Sequence, residues 1–273
     1  MSAELVEVTP RGRVLEITLN RPKVNAINGA LSRAIHAAAR RLQDDPALTV
    51  GILTAKGERV FSAGWDFTEP VAAFDATGSA FAEPEEQRHG PGGFAGITRW
   101  FELTKPLIAA VNGAAVGGGF EMALACDVIV AAEQAWFELP EMQRGILPEA
   151  GGLQRLPRLV PYNVAMEMLL SGRRMEMAEA AHWGLVHKVL PPAELLPYAR
   201  DLADRIALGA PLALQALKEA MRALDGVPLP QAMRLFAPGK PELPWYDRMS
   251  RSSDAAEGPR AFLEKRPPVW RGR

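Results

Sequence analysis

Apolar residues along the first two thirds of the chain occur in short runs and in stretches of helical spacing, separated by turns rich in glycine and proline. Residues 14–19 (VLEITL) alternate between apolar and polar positions, and residues 107–111 (LIAAV) are apolar throughout. These two patterns are typical of a half-buried and a fully buried strand. Leu31, Ile35 and Leu42 recur at near-helical spacing, which predicts an amphipathic helix between the two strands.

The whole chain predicts an α/β fold, because strands and helices alternate up to about residue 190 and only helices follow. Strands are predicted at residues 14–19, 50–54, 107–111, 127–132, 135–139 and 185–189. Helices are predicted at residues 29–42, 94–103, 120–125, 153–160, 162–170, 177–183, 192–207, 211–224, 228–236 and 254–265. Residues 69–93 contain proline, glycine and glutamate with weak periodicity, which indicates a mobile loop with room for a short helix.

The composition is that of an ordinary globular protein, with 48% hydrophobic and 23% charged residues among 273. A net charge of −1 argues against nucleic acid or an anionic membrane as a partner. The single cysteine, Cys126, excludes an intramolecular disulfide and lies in an apolar run, as a small core residue would. Neither a bilayer-spanning stretch nor a signal peptide is visible, so we expect a cytoplasmic location.

The clearest chemical signal lies in residues 105–127 (KPLIAAVNGAAVGGGFEMALACD). A strand, an Asn-Gly turn and three glycines lead into an apolar helix with Glu121 in its first turn. The first N–H groups of a helix lack intrahelical partners, and the helix dipole favours an oxygen that carries or develops negative charge there. By itself the stretch is equally compatible with a close-packed strand-to-helix corner. It is not a Walker phosphate loop, because Gly-Lys-Ser/Thr is absent, and Met122 stands where a dinucleotide fingerprint requires glycine or alanine.

Two other segments are candidates for the same site. Residues 63–66 (AGWD) contain a glycine that permits close approach to the backbone, so they are a second candidate for backbone donors. Glu141, which follows a predicted strand and a proline, is a second candidate carboxylate. Considered alone, the first segment is more simply a turn, and a lone glutamate is more commonly a solvated loop residue.

Six segments together form a specific combination: FSAGWD (61–66), residues 105–127, FELPE (137–141), GILPEAGGLQRLPR (145–158), LNRPKVNAI (19–27) and EGPRAFLEKRPPVW (257–270). This combination resembles the crotonase, or enoyl-CoA hydratase/isomerase, superfamily over nearly the whole chain. Within the superfamily, SAGWD, GPGGFAG (90–96), GGGFE and the EKRPPVWRGR ending are most similar to the carnitinyl-CoA dehydratases.

The resemblance implies a fold and an assembly. Residues 1–190 would form a spiral of β-β-α units that holds the active site. Residues 191–273 would form a helical oligomerisation region, in a homotrimer or a dimer of trimers.

The resemblance also implies roles for individual residues. The two oxyanion-hole donors fall on the N–H groups of Trp65 and Gly118, and the two acid/base glutamates fall on Glu121 and Glu141. The further candidates for binding substrate or CoA are Ala63, Asp66, Phe67, Gly117, Phe262 and Lys265. In the family, residues at the last two positions help to hold the adenine and phosphates of CoA, often across a subunit interface.

The implied activity is the reversible hydration of a 2-enoyl-CoA to a 3-hydroxyacyl-CoA, with crotonobetainyl-CoA and L-carnitinyl-CoA as the expected pair. The CoA thioester would be a substrate, and no permanently bound cofactor is expected. The four histidines, at positions 36, 89, 182 and 187, lack metal-ligand spacing, so no metal site is expected. The alternatives are a general short-chain enoyl-CoA hydratase, an enoyl-CoA isomerase and a non-catalytic CoA-binding scaffold, against which the two glutamates argue.

Three finer expectations follow. Aromatic faces suit a trimethylammonium group, and the candidate walls, each equally explained by apolar packing, are Trp65, Phe67, Phe94 and Trp100. Burial is expected to push the pKa values of the two glutamates apart. Glu149 stands where many hydratases carry glycine, and residues 237–250 are richer in proline and aromatic residues than a plain helix allows.

Overall fold

A computed structural model describes residues 4–81, 83–236 and 243–273 of the chain. Over these residues the strands are β1 (Val6–Arg11), β2 (Val14–Leu19), β3 (Val50–Ala55), β4 (Val60–Ser62), β5 (Leu107–Val111), β6 (Ala114–Val116), β7 (Val128–Ala132), β8 (Trp136–Glu138), β9 (Arg174–Glu176) and β10 (Lys188–Leu190). The α-helices are α1 (Gly29–Asp44), α2 (Thr68–Thr77), α3 (Glu85–His89), α4 (Gly118–Leu124), α5 (Gly152–Leu159), α6 (Tyr162–Ser171), α7 (Met177–His182), α8 (Pro192–Ala207), α9 (Pro211–Ala223), α10 (Leu229–Ala232), α11 (Pro244–Ser250) and α12 (Ser253–Leu263). Short 3-10 helices occupy Phe94–Gly96, Glu141–Arg144 and Met233–Phe236.

The strands form two sheets between which the chain passes repeatedly. The larger sheet has the order β1-β2-β3-β5-β7-β10, and the smaller has the order β4-β6-β8-β9. Three consecutive strand pairs, β3 with β4, β5 with β6 and β7 with β8, each place one strand in the larger sheet and the next in the smaller. Most neighbours are parallel, but β1 with β2 and β8 with β9 are antiparallel. The repeated passage is the β-β-α spiral predicted from the sequence.

The larger sheet is buried on both faces. All six residues of β3 and all five of β5 are buried, as expected for a parallel strand covered on each side. Helix α8 covers one face, where its Leu195 and Ala199 pack with Ile52 and Ile108. The other face packs against α1 and continues into the main core. None of the described helices is long and apolar enough to cross a bilayer.

The strongly periodic predictions are confirmed, and the weakly periodic ones are less accurate. The bounds predicted for α8 match the structure, and those predicted for α1 and α9 differ by at most two residues. The helix predicted at residues 94–103 is wrong, because only the 3-10 turn Phe94–Gly96 forms there. Both Ala95 (φ +54°) and Gly96 (φ +71°) adopt left-handed backbone angles, which an α-helix cannot accommodate.

Most elements missed from the sequence are short or lie in the predicted loop. The exception is the six-residue strand β1, which no predicted strand covered. Strands β4, β6 and β9 have three residues each, too few to show a period. Residues 69–93 contain most of α2 and all of α3. In the proline- and aromatic-rich segment, residues 237–242 lie outside the described residues, and α11 follows them.

A buried ion pair attaches the C-terminal helices to the central sheet. The Nζ atom of Lys218 in α9 lies 2.7 Å from Oδ2 of Asp127 and donates to the carbonyl oxygen of Lys105 at 3.1 Å. The same carboxylate oxygen accepts from the N–H of Leu107 at 2.8 Å, where β5 begins. The side chain of Lys218 is only 7% exposed, whereas that of Asp127 is 33% exposed.

The unequal burial predicts unequal costs for removing each partner. Asp127→Asn leaves the Lys218 ammonium buried without its counter-charge, so we expect it to lower the free energy of unfolding by about 3 kcal/mol. Lys218→Met should cost clearly less, because the remaining carboxylate is partly solvated and keeps the Leu107 N–H. Urea denaturation at pH 7 measures both. Asp201→Asn, which removes an exposed pair with Arg205, is the control and should cost less than about 1 kcal/mol. A Lys218→Met cost equal to that of Asp127→Asn would contradict the argument.

Candidate active site

The site is built where β6 turns into α4. Gly117, between them, has φ +52° and ψ −125°, a left-handed conformation that favours glycine. A Cβ atom at this position would lie 2.7 Å from Oε1 of Glu141. The glycine therefore lets the turn form and lets a carboxyl group from another strand end approach the main chain.

A second turn, after β4, packs against the first. Gly64 has φ +81°, and a Cβ atom there would lie 2.5 Å from the carbonyl oxygen of Val116 and 2.9 Å from the amide nitrogen of Gly118. The N–H of Ile27 donates to the Gly64 carbonyl, and the Ile27 carbonyl accepts from the N–H of Asp66. These bonds hold the turn in place and leave the N–H of the intervening Trp65 unused.

Two backbone N–H groups are thus available at one place. Across the described ranges, the N–H groups of Trp65 and Gly118 donate to no protein acceptor. Gly118 is the first residue of α4, where an N–H has no intrahelical partner. Both residues line a cavity of about 180 Å³. Paired donors of this kind can stabilise an oxygen on which negative charge develops.

The same cavity brings together most of the residues that the sequence predicted. Its wall includes Ala63, Trp65, Phe67, Gly117, Gly118, Glu121 and Glu141. Asp66 is not part of the wall: its carboxylate lies 2.6 Å from Arg21 and accepts from Thr68, so it supports the turn from behind. Phe262 and Lys265 do not line this cavity within the single chain either. The side chain of Phe262 is 83% exposed.

Glu121 is buried at the junction of two helices. It lies in the first turn of α4, and its Oε1 accepts from the N–H of Gly152 at 2.8 Å, the first residue of α5. Burial raises the pKa of Glu121 to about 8, and the nearby charge of Glu141 acts in the same direction. The hydrogen bond from Gly152 opposes this shift by favouring the ionised form.

Glu141 approaches the cavity from the end of β8, on a separate 3-10 turn. Its side chain is buried, and within the described part of the chain its Oε2 has no hydrogen-bond partner. Burial raises the pKa of Glu141 to about 7, assisted by the charge of Glu138. The sequence predicted diverging pKa values; the structure raises both, and that of Glu121 further. A group that can exchange a proton near neutral pH suits acid–base chemistry.

Beyond the two glutamates and the paired N–H groups, the cavity wall contains residues that the sequence did not single out. We call this the outer part of the cavity. Of these residues, Arg144 follows β8, and four come from the segment between α2 and β5: Phe81, Glu85, Arg88 and His89. Phe94, which was expected and belongs to GPGGFAG, lines the same cavity. The ring of His89 is buried with Nδ1 3.1 Å from Oγ of Ser32, and burial lowers its pKa to about 4, so it is neutral.

The aromatic walls predicted from the sequence are only partly correct. Phe67, Phe94 and Trp65 line the cavity, but Trp100 does not. The ring of Trp100 instead packs edge-on against His36 at 4.7 Å. Among the described residues, the indole Nε1 of Trp65 is buried without an acceptor, and no group of three possible metal ligands is present.

The raised pKa of Glu121 predicts how stability depends on pH. An unfolded glutamate ionises near pH 4.5 and the folded one near pH 8, so the folded state holds the extra proton between these values. Its contribution to stability is full below about pH 4.5 and is lost as the pH rises to about 8. As the pH rises across this window, the free energy of unfolding of Glu121→Gln should increase relative to that of wild type by up to about 1.4 kcal/mol per pH unit. Thermal and urea unfolding of the two proteins measure this difference. Parallel profiles for the two proteins would contradict the buried, protonated state of Glu121.

Comparison with known proteins identifies the family. Residues 10–273 match the family model described as enoyl-CoA hydratase/isomerase. Carnitinyl-CoA dehydratases from Salmonella paratyphi A and Salmonella typhi are each 48% identical over 271 residues, which cover 99% of this chain and 100% of theirs.

Solved structures show the same fold. The enoyl-CoA hydratase from Mycobacterium tuberculosis H37Rv has a TM-score of 0.84 at 38% identity, covering 99% of this chain and 100% of its own. The enoyl-CoA hydratase from Bacillus anthracis has a TM-score of 0.82 at 34% identity, covering 98% of this chain and 100% of its own. The chain therefore belongs to the enoyl-CoA hydratase/isomerase family, with the crotonase fold, as an enzyme of the hydro-lyase type.

Proposed function

We propose that the chain reversibly hydrates a 2-enoyl-CoA thioester, and that crotonobetainyl-CoA and L-carnitinyl-CoA are its substrate pair. The observation that carries the reaction is the convergence of two buried glutamates and two unpartnered N–H groups on one cavity. The choice of acyl group is supported by the 48% identity, over nearly the whole chain, to proteins named carnitinyl-CoA dehydratase.

The thioester carbonyl oxygen lies between the N–H groups of Trp65 and Gly118. Adding water at C3 pushes electrons toward this oxygen, so an enolate forms, and donors already held in place stabilise its charge without reorganising. One such donor is typically worth about 10²–10³ in rate. The helix dipole of α4 adds to the effect, because Gly118 is at its positive end.

The two glutamates move the protons. Glu121 takes a proton from the water whose oxygen bonds to C3, and Glu141 delivers a proton to C2; dehydration reverses both steps. One carboxyl group must start ionised and the other protonated, so the pair holds a single proton. Their raised pKa values, about 8 for Glu121 and about 7 for Glu141, place this state near neutral pH, where the two groups titrate as a pair. The order of these values puts the shared proton on Glu121, the form from which dehydration starts, and hydration starts from the form with the proton on Glu141. The partnerless Oε2 of Glu141 leaves that carboxyl free to face the substrate.

A general short-chain enoyl-CoA hydratase is the second candidate, favoured by the names of the structural relatives from Mycobacterium tuberculosis and Bacillus anthracis. It would use the same N–H pair and glutamates on an uncharged acyl chain. The two functions differ only in what the outer cavity accepts.

The protein is proposed to assemble as a trimer or a dimer of trimers. Support comes from the large apolar side chains that the single chain leaves exposed in its C-terminal region: Leu208, Leu217, Met221, Leu229, Met233, Phe262, Leu263 and Val269. In such an assembly, Phe262 and Lys265 of one subunit would contact the CoA moiety bound by its neighbour. Their absence from the cavity of their own chain is compatible with that role.

The reaction and the substrate are tested together. Purified protein should hydrate crotonobetainyl-CoA with a higher kcat/KM than crotonyl-CoA. Glu121→Gln and Glu141→Gln should each lower kcat by about 10²–10⁴, since each removes one proton-transfer group. Glu176→Gln, which changes an exposed carboxyl in β9 outside the cavity wall, should stay within a few-fold of wild type.

Other outcomes assign other activities. A preference for crotonyl-CoA would replace the proposed substrate with an ordinary short-chain one. Conversion of a 3-enoyl-CoA to a 2-enoyl-CoA without incorporation of solvent water would indicate an isomerase. An equal loss in all three glutamine variants would contradict the two-glutamate mechanism.

The contribution of Lys265 is tested by kinetics. Lys265→Gln should raise KM for the CoA thioester several-fold, because it removes one charge that pairs with phosphate, and should leave kcat within two-fold of wild type. Lys188→Gln, an exposed lysine in β10, is the matched control and should change neither constant. An unchanged KM in Lys265→Gln, with the oligomer intact by light scattering, would contradict the proposed contact.

A further inference from the structure

The entrance of the cavity carries a cluster of aromatic rings. The ring centroids of Trp65 and Phe81 are 5.7 Å apart with an interplanar angle of 35°, and the ring of Phe67 lies edge-on to Trp65 at 6.0 Å. All three side chains line the cavity. We call Trp65, Phe67 and Phe81 the entrance aromatic cluster.

A cation of the protein itself occupies this cluster. The guanidinium carbon of Arg88, in α3, lies 5.7 Å from the Trp65 ring centroid and 5.5 Å from that of Phe81. These distances are within the range of a cation–π interaction. Arg88 is half-buried, and its Nε donates to the carbonyl oxygen of Glu83 at 3.1 Å.

No anion of the described residues compensates the charge of Arg88. The salt bridges within residues 4–81, 83–236 and 243–273 include none from this side chain. Glu85 also belongs to α3 and lines the cavity, but it does not pair with Arg88. Its carboxylate lies 2.5 Å from Arg99 and accepts from the N–H of Phe94 at 2.8 Å. The cationic group therefore rests on ring faces and one carbonyl oxygen rather than in an ion pair.

We propose that the entrance aromatic cluster is a binding subsite for the quaternary ammonium group of the acyl chain, and that the guanidinium of Arg88 competes for the same ring faces. This inference rests on the proposed function and names the residues that would select its substrate. A quaternary ammonium has no N–H to donate, so ring faces suffice to bind it and no carboxylate is required. Trp65 would contact both ends of a short acyl chain: its N–H holds the carbonyl oxygen and its ring faces the ammonium.

Arg88 must leave when the substrate enters. Two positive charges at the same rings repel each other, and among the described residues Arg88 forms no ion pair that would offset this repulsion. The side chain can turn outward, because it belongs to a short surface helix and makes one recorded side-chain hydrogen bond. Arg88 thus acts as an internal competitor that weakens the binding of a cationic acyl group. It does not repel a neutral acyl group electrostatically.

The test compares two saturated thioesters, which bind but cannot be hydrated. The cationic probe is 4-(trimethylammonio)butanoyl-CoA, and 5,5-dimethylhexanoyl-CoA has the same shape with carbon in place of the charged nitrogen. Isothermal titration gives their dissociation constants with the full-length wild type, with Arg88→Gln, and with Phe81→Leu or Phe81→Tyr added to Arg88→Gln. Phe81 is 46% exposed, so its substitution spares the core.

We expect three results. Arg88→Gln should bind the cationic probe about 2- to 30-fold more tightly than the neutral one, and more tightly than wild type does. Phe81→Leu in the Arg88→Gln background should reduce this preference several-fold, because the ring face is lost. Phe81→Tyr should retain it, since tyrosine offers a similar face.

Two results would overturn the subsite. The first is equal affinity of the two probes in both wild type and Arg88→Gln. The second is a preference that survives Phe81→Leu but disappears in Glu149→Gln, which would assign recognition to the exposed Glu149 carboxylate in the cavity wall. Hydration of crotonobetainyl-CoA is measured separately: a cation preference without turnover would refute the proposed reaction and keep the subsite, whereas turnover without a preference would do the reverse.

Discussion

Two carboxyl groups are buried beside one cavity, and much of the surrounding structure serves to hold them there. A glutamate placed in an apolar environment takes up a proton rather than remaining charged, which raises the pKa values of both Glu121 and Glu141. Glu121 would be more perturbed still without the N–H of Gly152 at the start of α5. The close approach of Glu141 to the main chain is possible only because residue 117 has no side chain. Packing therefore raises the pKa of both carboxyl groups, the hydrogen bond from Gly152 limits the rise at Glu121, and the glycine at position 117 admits Glu141.

The β-β-α spiral brings the components of the site together, because successive strands of the smaller sheet end beside the same cavity. Each passage from the larger sheet to the smaller delivers one component: β4 leads to Trp65, β6 to Gly118 and β8 to Glu141. Since β4, β6 and β8 are neighbours in the smaller sheet, residues more than 70 positions apart meet at its edge. Backbone hydrogen bonds between these strands thus fix the distance between the two N–H groups of the proposed oxyanion hole.

The inner and outer parts of the cavity differ in how they are supported. The inner part stands on strands and on α4, with all of α4 buried. The outer part stands on α3 and the residues around it, where Phe81 and Arg88 are partly exposed. A rigid inner part suits a reaction common to many acyl chains, and an adaptable outer part suits the choice among them. Under the proposed function, this division leaves the choice of acyl group to the residues of the outer part.

The sequence by itself determined the α/β class and the long periodic elements such as α1, α8 and α9, because periodicity is a local property of the chain. It assigned site roles to Trp65, Gly118, Glu121 and Glu141 only through resemblance to a known family. Only the tertiary structure decided what those residues share: a single cavity, two raised pKa values and N–H groups without partners all depend on contacts between distant segments. The same reason explains the misses. Trp100 was predicted as a cavity wall and packs against His36 instead, while Arg88 reaches the rings of Trp65 and Phe81 from a segment whose sequence shows no pattern. Burial and proximity are set by the packing of the whole chain, and no local spacing of residues encodes them.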